Sequence, residues 1–214
     1  MTNHVQRTHA AGALAGAAVA VWDKNPGHTG ILFEHSDGSM MLLHLASHQT
    51  LRMNQPTRKN GWVRARIPKE RLEQVAALCE RIWHKHGTNI PYGFRYVATR
   101  FSRAGEFKKG LGTGETGLTC ATFVLAVFAS VGLDLLRLEE WEKRPEDGAR
   151  FEEILNTFKE GGVPAPALAI MKQQIDAVRY RPLEVAGGSM FTPPASFQDA
   201  SGRATEIEQE LRGE

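Results

Sequence analysis

The spacing of apolar residues changes several times along the chain, and each change marks an element. Residues 15–22 form a short apolar run ending at Trp22 and followed by Asp23-Lys24-Asn25-Pro26-Gly27, which predicts a buried strand and a turn. Thr29-Gly30-Ile31-Leu32-Phe33, the turn residues His35-Ser36-Asp37-Gly38 and the apolar run 40–45 together predict a β-hairpin. Trp62, Val63, Ala65 and Ile67 alternate weakly over 60–67 and predict a further strand. The period then becomes helical. Leu72, Val75, Ala76, Cys79, Ile82 and Trp83 fall on one face of a helix over 69–86, opened by Pro68 and closed by Gly87.

Residues 88–118 show neither period and carry Gly105, Gly110, Gly112, Gly114 and Gly117, an irregular stretch of a length that in compact domains is often functional. Phe123, Val124, Val127, Phe128 and Val131 restore helical spacing, so a second helix runs from Cys120 to about Val131 and stops at Gly132. A shorter helix is expected over 147–160, and segments 166–173 and 180–185 complete the domain. Residues 1–11 read as a loose polar start. From Gly187 onward Gly, Pro, Ser and charge dominate, with 205–212 as a peripheral helix. The expected organisation is one domain over 1–186 and a Gly/Pro/charge-rich tail over 187–214, with no internal repeat.

Composition narrows the function classes. The 214 residues suffice for one sizeable core, and 42% apolar with 23% charged residues is ordinary for a soluble enzyme or binding domain. Twenty-six basic residues against 24 acidic ones leave a net charge of +2, and the basic residues are scattered, so no nucleic-acid partner is expected. Lys108-Lys109 and the Arg179/Arg181 pair read as solvated faces. Cys79 and Cys120 are the only cysteines, which excludes a disulfide scaffold and a cysteine-based zinc site. The run over 10–21 resembles a signal-peptide core. It is shorter than a membrane span, rich in small residues and continuous with Trp22-Asp23, which favours a strand. The chain is therefore expected to be cytoplasmic as synthesised, with any export following a route that needs no cleaved signal.

Three side chains carry candidate chemistry. Cys120 opens an apolar helix after a glycine-rich loop, where unpaired N–H groups and the positive dipole end favour a thiolate. A buried packing role, as expected for Cys79, is the alternative. His28 stands at the entry to the first hairpin strand, and His44 interrupts the apolar run Met40-Met41-Leu42-Leu43-His44-Leu45 of its partner. A five-residue loop (34–38) would pair Phe33 with Ser39 and set His28 opposite His44, about 5 Å apart. A two-residue Asp37-Gly38 turn would put them on opposite faces. Glu34 is a rival partner for His28 but reads as a solvated hairpin residue.

Two other motifs carry less. Gly112-Thr113-Gly114-Glu115-Thr116-Gly117 matches a dinucleotide-loop pattern, with Glu139 and Glu140 near the expected distance for a ribose-binding acid. It lacks the buried strand such a loop must follow. His44-x-x-x-His48, with His28, lacks the glutamate of a metalloprotease helix and lies on an expected strand. No metal or other cofactor is expected.

Gly27-His28-Thr29-Gly30-Ile31-Leu32-Phe33 resembles the histidine strand of NlpC-type cell-wall peptidases. Leu42-Leu43-His44-Leu45-Ala46-Ser47 resembles the next strand of that superfamily, which carries its third polar residue, and histidine is one of the residues accepted there. Thr119-Cys120-Ala121-Thr122-Phe123-Val124 resembles its nucleophile helix, with Ala121 in place of the usual serine. Histidine strands precede the cysteine helix here, the order of the circularly permuted branch that includes lecithin-retinol-acyltransferase-like enzymes. The resemblance covers about residues 15–135 and rests on short motifs. It implies an α+β, permuted papain-like fold whose antiparallel sheet packs against the nucleophile helix. It also implies a cysteine peptidase or amidase with Cys120 as nucleophile, His28 as base and His44 as orienting group. Tyr92 and Thr119, with the Cys120 N–H, would lie on the substrate or oxyanion side. The implied substrate is a peptide-like amide, with peptidoglycan stem peptides favoured, and an inhibitor or immunity protein is a conceivable partner. Acyl transfer on a lipid or acyl substrate, or a non-catalytic binding or immunity module of the same fold, are the alternatives. The oligomeric state is left open.

Overall fold

The computed structural model describes residues 4–7, 14, 16–23, 27–87, 89–97, 99–108 and 117–213. The architecture is α+β, with an antiparallel sheet of strands β1 (Val5–Arg7), β2 (Ala17–Trp22), β3 (Thr29–Glu34), β4 (Met40–Ser47), β5 (Thr50–Asn54) and β6 (Asn60–Val63). Their spatial order is β1-β6-β2-β3-β4-β5, which puts β2 and β3 at the centre. Strands β7 (Arg100–Phe101) and β8 (Phe107–Lys108) form a separate short hairpin. The helices are α1 (Lys69–His86), α2 (Cys120–Ser130), α3 (Asp147–Glu160), α4 (Ala165–Lys172), α5 (Pro182–Ser189) and α6 (Phe197–Arg212).

Alternation along the central strands assigns the two sheet faces. Val19, Val21, Ile31, Phe33, Leu43 and Val63 point into the main core, where Val75, Cys79 and Ile82 of α1 and Phe123, Val124 and Val127 of α2 meet them. Helix α2 is buried on every side from Cys120 to Ala129, as an apolar helix must be when it is clamped between a sheet and other helices. On the other face Ala18, Ala20, Leu32, Leu42 and Trp62 form a smaller cluster, packed by Trp22 and Met40.

Four details differ from the sequence reading. The polar start contains a short edge strand, β1, paired with β6. The polar stretch after Ser47 forms β5, paired along β4. The hairpin pairs Glu34 with Met40 and Phe33 with Met41, so the pairing of Phe33 with Ser39 is corrected by two residues. Its cause is the turn. Gly38 takes φ +81°, Asp37 Oδ1 accepts from Ser39 N at 2.8 Å, and His35 N donates to Ser39 O, leaving 35–39 as the loop.

The fourth lies in 187–214, where α6 begins at Phe197 rather than Thr205, capped by Ser196 accepting from Asp199 N. A Cβ on Gly187 would lie 2.7 Å from Ala200 O, so these small residues let α5 and α6 approach closely, and Ala200 and Ile207 are buried. Of the run over 10–21, residues 17–21 lie in β2, while residues 10–13 and 15 lie outside the described residues.

Candidate active site

Cys120 owes its position to the segment before it. Thr119 is the N-cap of α2, its hydroxyl accepting from Thr122 N at 3.1 Å while its own N–H donates to Thr122 Oγ1 at 2.7 Å. Two residues earlier Gly117 crosses Gly93 backbone to backbone, and a Cβ on Gly93 would lie only 2.8 Å from Gly117 N. Leu118 N donates to Pro91 O and Gly93 N to Leu118 O across the same crossing. Glycine is needed here because no side chain fits between the two backbones. Residues 112–116 of the G-x-G-x-x-G match lie outside the described residues.

Cys120 is 5% exposed. Sγ lies 3.8 Å from the Gly27 carbonyl oxygen, and the Thr29 N–H also faces it, so the sulfur meets the β3 backbone on both sides of His28. Burial raises the thiol above its ordinary pKa, against the Thr29 and Ala121 N–H groups, which favour the anion. A cavity of about 20 Å³, with room for about one water, adjoins Cys120 and is lined by Gly27, Tyr92, Thr119 and Arg179 among others. Tyr92 is buried in an edge-to-face contact with Phe158 at 4.8 Å, and its N–H donates to His48 Nδ1 at 3.3 Å. Burial pushes its phenol up.

The histidines meet each other. His28 Nε2 and His44 Nδ1 are 2.7 Å apart, with the rings at 81°. Directly opposite His44 stand Gly30 and, on the other side, Arg52. His28 therefore reaches His44 diagonally across Gly30. A register shift of two residues keeps both rings on one face, and a shift of one would have separated them. Gly30 has a steric role, since a Cβ there would lie 2.7 Å from His44 Cβ and 2.8 Å from Leu43 O. Trp22 closes the group edge-on, 4.6 Å from His28 and 5.2 Å from His44.

Burial lowers His28 to about 3, helped by His44 and Arg52, whose positive charges oppose a second cation. Burial likewise lowers His44 to about 4; the Asn54 side chain opposes this by hydrogen bonding and Arg52 adds to it. At neutral pH both rings are uncharged.

The structure thus pairs His28 with His44 and brings Cys120 to the backbone flanking His28. The His28 ring, however, points to the sheet face opposite the helices, and among the described residues no hydrogen bond joins it to the thiol. Glu34 is exposed at the far end of β3. Among the described residues no three His, Cys, Asp or Glu side chains are grouped to hold a metal ion, and no helix is long and apolar enough to cross a membrane.

Sequence reasoning missed Trp22, Arg52, Asn54 and Arg179. Trp22 could have been found from its place beside the His28 turn. Arg52 and Asn54 required strand β5, which has no apolar alternation to announce it. Comparison of the chain with protein-family models, with curated proteins and with solved structures finds no match.

Proposed function

We propose that the chain is a thiol-dependent hydrolase of a peptide-like amide, built on a permuted papain-like arrangement of its α+β fold. The observation that carries this reading is the convergence on the entry to β3. One end of a three-residue segment contacts the thiol of a capped helix N-terminus, and its middle residue carries an imidazole held by a second imidazole.

The hydrogen-bond chain assigns roles to the nitrogens. Asn54 acts on His44 as an acceptor. With His44 donating from Nε2 to Asn54, its Nδ1 accepts from His28 Nε2–H. That tautomer leaves His28 Nδ1 as a free base. To reach the thiol the His28 side chain must leave the sheet face it shares with His44 and swing around the entry to β3, where Nδ1 takes the Sγ proton as sulfur attacks the amide carbonyl carbon. The C–N bond breaks, the amine leaves with the proton from His28, and water hydrolyses the thioester by the same base. The Cys120 N–H at the helix start supports the oxyanion, beside Thr119 and Tyr92. Stem peptides of peptidoglycan are the substrates to test first, followed by acyl lipids.

A non-catalytic binding module is the second reading. The near-complete burial of the thiol, with its pKa raised, favours it. Alkylation by iodoacetamide across pH separates the two. Under the hydrolase reading Cys120 labels well below the free-thiol value of about 8.5, and labelling slows in His28→Ala, with Cys79→Ala isolating the signal. Slow labelling that ignores His28 establishes the binding module instead.

A further inference from the structure

The Cys120 cavity shares Gly27, Arg179 and Pro182 with a larger cleft of about 520 Å³. Four arginines line that cleft: Arg144, Arg150, Arg179 and Arg181. Three of them are engaged. Arg144 binds the Glu184 carboxylate and donates to Arg179 O at 2.9 Å, Arg181 binds Glu146, and Arg150 donates to Glu153 at 2.6 Å.

Arg179 differs. Its side chain is 16% exposed, yet among the described residues its guanidinium makes no hydrogen bond. The nearest carboxylate oxygen, Asp147 Oδ1, is 3.9 Å away and equally distant from Arg181. That oxygen is itself buried without a hydrogen-bond partner. Burial, then Arg181, hold the guanidinium below its ordinary range, with Asp147 opposing and Arg150 and Arg144 adding to the effect, so a further anion would relieve a penalty that Asp147 offsets only in part. A planar fork of donors that holds, among the described residues, only a 3.9 Å ion pair to a carboxylate shared with Arg181, beside a nucleophile candidate, is suited to receive an oxyanion.

We propose that Arg179, flanked by Arg150 and Arg181, binds a carboxylate of the substrate and so selects peptides carrying that group next to the bond presented to Cys120. The guanidinium fork takes a carboxylate or a phosphate bidentately; a carboxylate is the expected group because the cleft joins the Cys120 cavity, where the hydrolase reading puts a peptide. The choice of carboxylate rests on that reading; the binding of an oxyanion at Arg179 does not.

The test is an NMR titration of the full chain carrying Cys120→Ala, which removes turnover. The probes are N-acetyl-Ala-Ala with a free carboxylate, its C-terminal amide, N-acetyl-Ala-Glu amide and inorganic phosphate. The expected result is saturable binding of one or both carboxylates, and which of them binds tells an α-carboxylate from a side-chain one. The neutral amide should not saturate, Arg179→Met should weaken binding at least tenfold, and Arg179→Lys should lie between. Equal binding of the neutral amide, unchanged affinity in Arg179→Met, or tighter binding of phosphate overturns the proposal. The carboxylate–amide comparison needs no change at Arg179, so it holds even where that variant fails to fold. Because affinity is read without catalysis, a negative result leaves the thiol chemistry standing, and failed alkylation leaves this subsite standing.

Discussion

Replacing Gly30 by alanine isolates the step that brings the histidines together. Gly30 has an ordinary backbone conformation, so the conformational contribution alone would favour alanine by about 0.4–1 kcal/mol. The added methyl, however, meets His44 Cβ at 2.7 Å and Leu43 O at 2.8 Å, close to 1 Å inside normal contact. Neither atom can move alone, because both belong to a central part of the sheet where Leu43 is fully buried. Strands β3 and β4 must part, and overpacking of this kind costs about 1–3 kcal/mol. Set against the conformational gain, the net loss is about 1.3 kcal/mol, which lowers Tm by roughly 3–5 °C in a chain of this length. Gly202 in α6 is the matched control, since a Cβ there meets nothing within 4 Å. Gly202→Ala should gain about 1 kcal/mol from helix propensity. Urea unfolding of both variants, with Cys120 alkylation recorded alongside, reads the difference. Gly30→Ala should be the less stable and label more slowly. If the two substitutions shift stability in the same direction, the steric account of Gly30 is wrong.

Two further outcomes follow from buried charge. His28 at about 3 and His44 at about 4 both lie below the ordinary 6.5, so on acidification the unfolded chain takes up these protons first. The stability they contribute is fully present above about pH 6.5 and drains as pH falls toward 4 and then 3, by up to about 2.7 kcal/mol per pH unit for the pair. Urea midpoints between pH 7 and 5, where most carboxylates stay ionised, should fall in the native chain and fall less in His44→Gln. In the arginine-lined cleft Glu184 binds Arg144, accepts from Trp141 Nε1 at 3.2 Å and from Arg181 N at 3.2 Å. Glu184→Ala leaves the half-buried Arg144 with Asp147 at 3.6 Å and Arg179 O at 2.9 Å and should cost about 1.5–3 kcal/mol in calorimetry, with a loss below about 1 kcal/mol refuting a structural role for the pair.

The elements that could be read from the chain are those whose burial is one-sided or complete. Helix α1 follows its heptad-like spacing from Lys69 to the Gly87 stop, and α2 its apolar run, so both ends of each were legible. The side chains of β5 and α6 gave too weak a pattern. Arg52 and Asn54 face outward on β5, and α6 buries little beyond Ala200 and Ile207. The histidine pair was legible as a question of parity, because pairing shifts of two preserve the face, while the exact partner depended on how Asp37, Gly38 and Ser39 bond within one turn. Arg179 could not be recognised from its neighbours in sequence. Its pairing with Arg181 suggests a wet surface, and only the packing of α3 and α5 around it shows otherwise.

The carboxylate of Glu210 accepts from His4 N at 2.9 Å and Val5 N at 2.9 Å, clasping the edge strand β1 to the end of α6. This clasp holds the first and last elements side by side. A short linker joining those two regions, with a new opening at the turn around Gly87 after α1, would reverse which comes first, the cysteine helix or the histidine strands. Every neighbour of Cys120, His28 and His44 would stay where it is. The site rests on contacts around a closed loop of structure, and a cut that spares the Gly93–Gly117 crossing and the entry to β3 leaves those contacts in place.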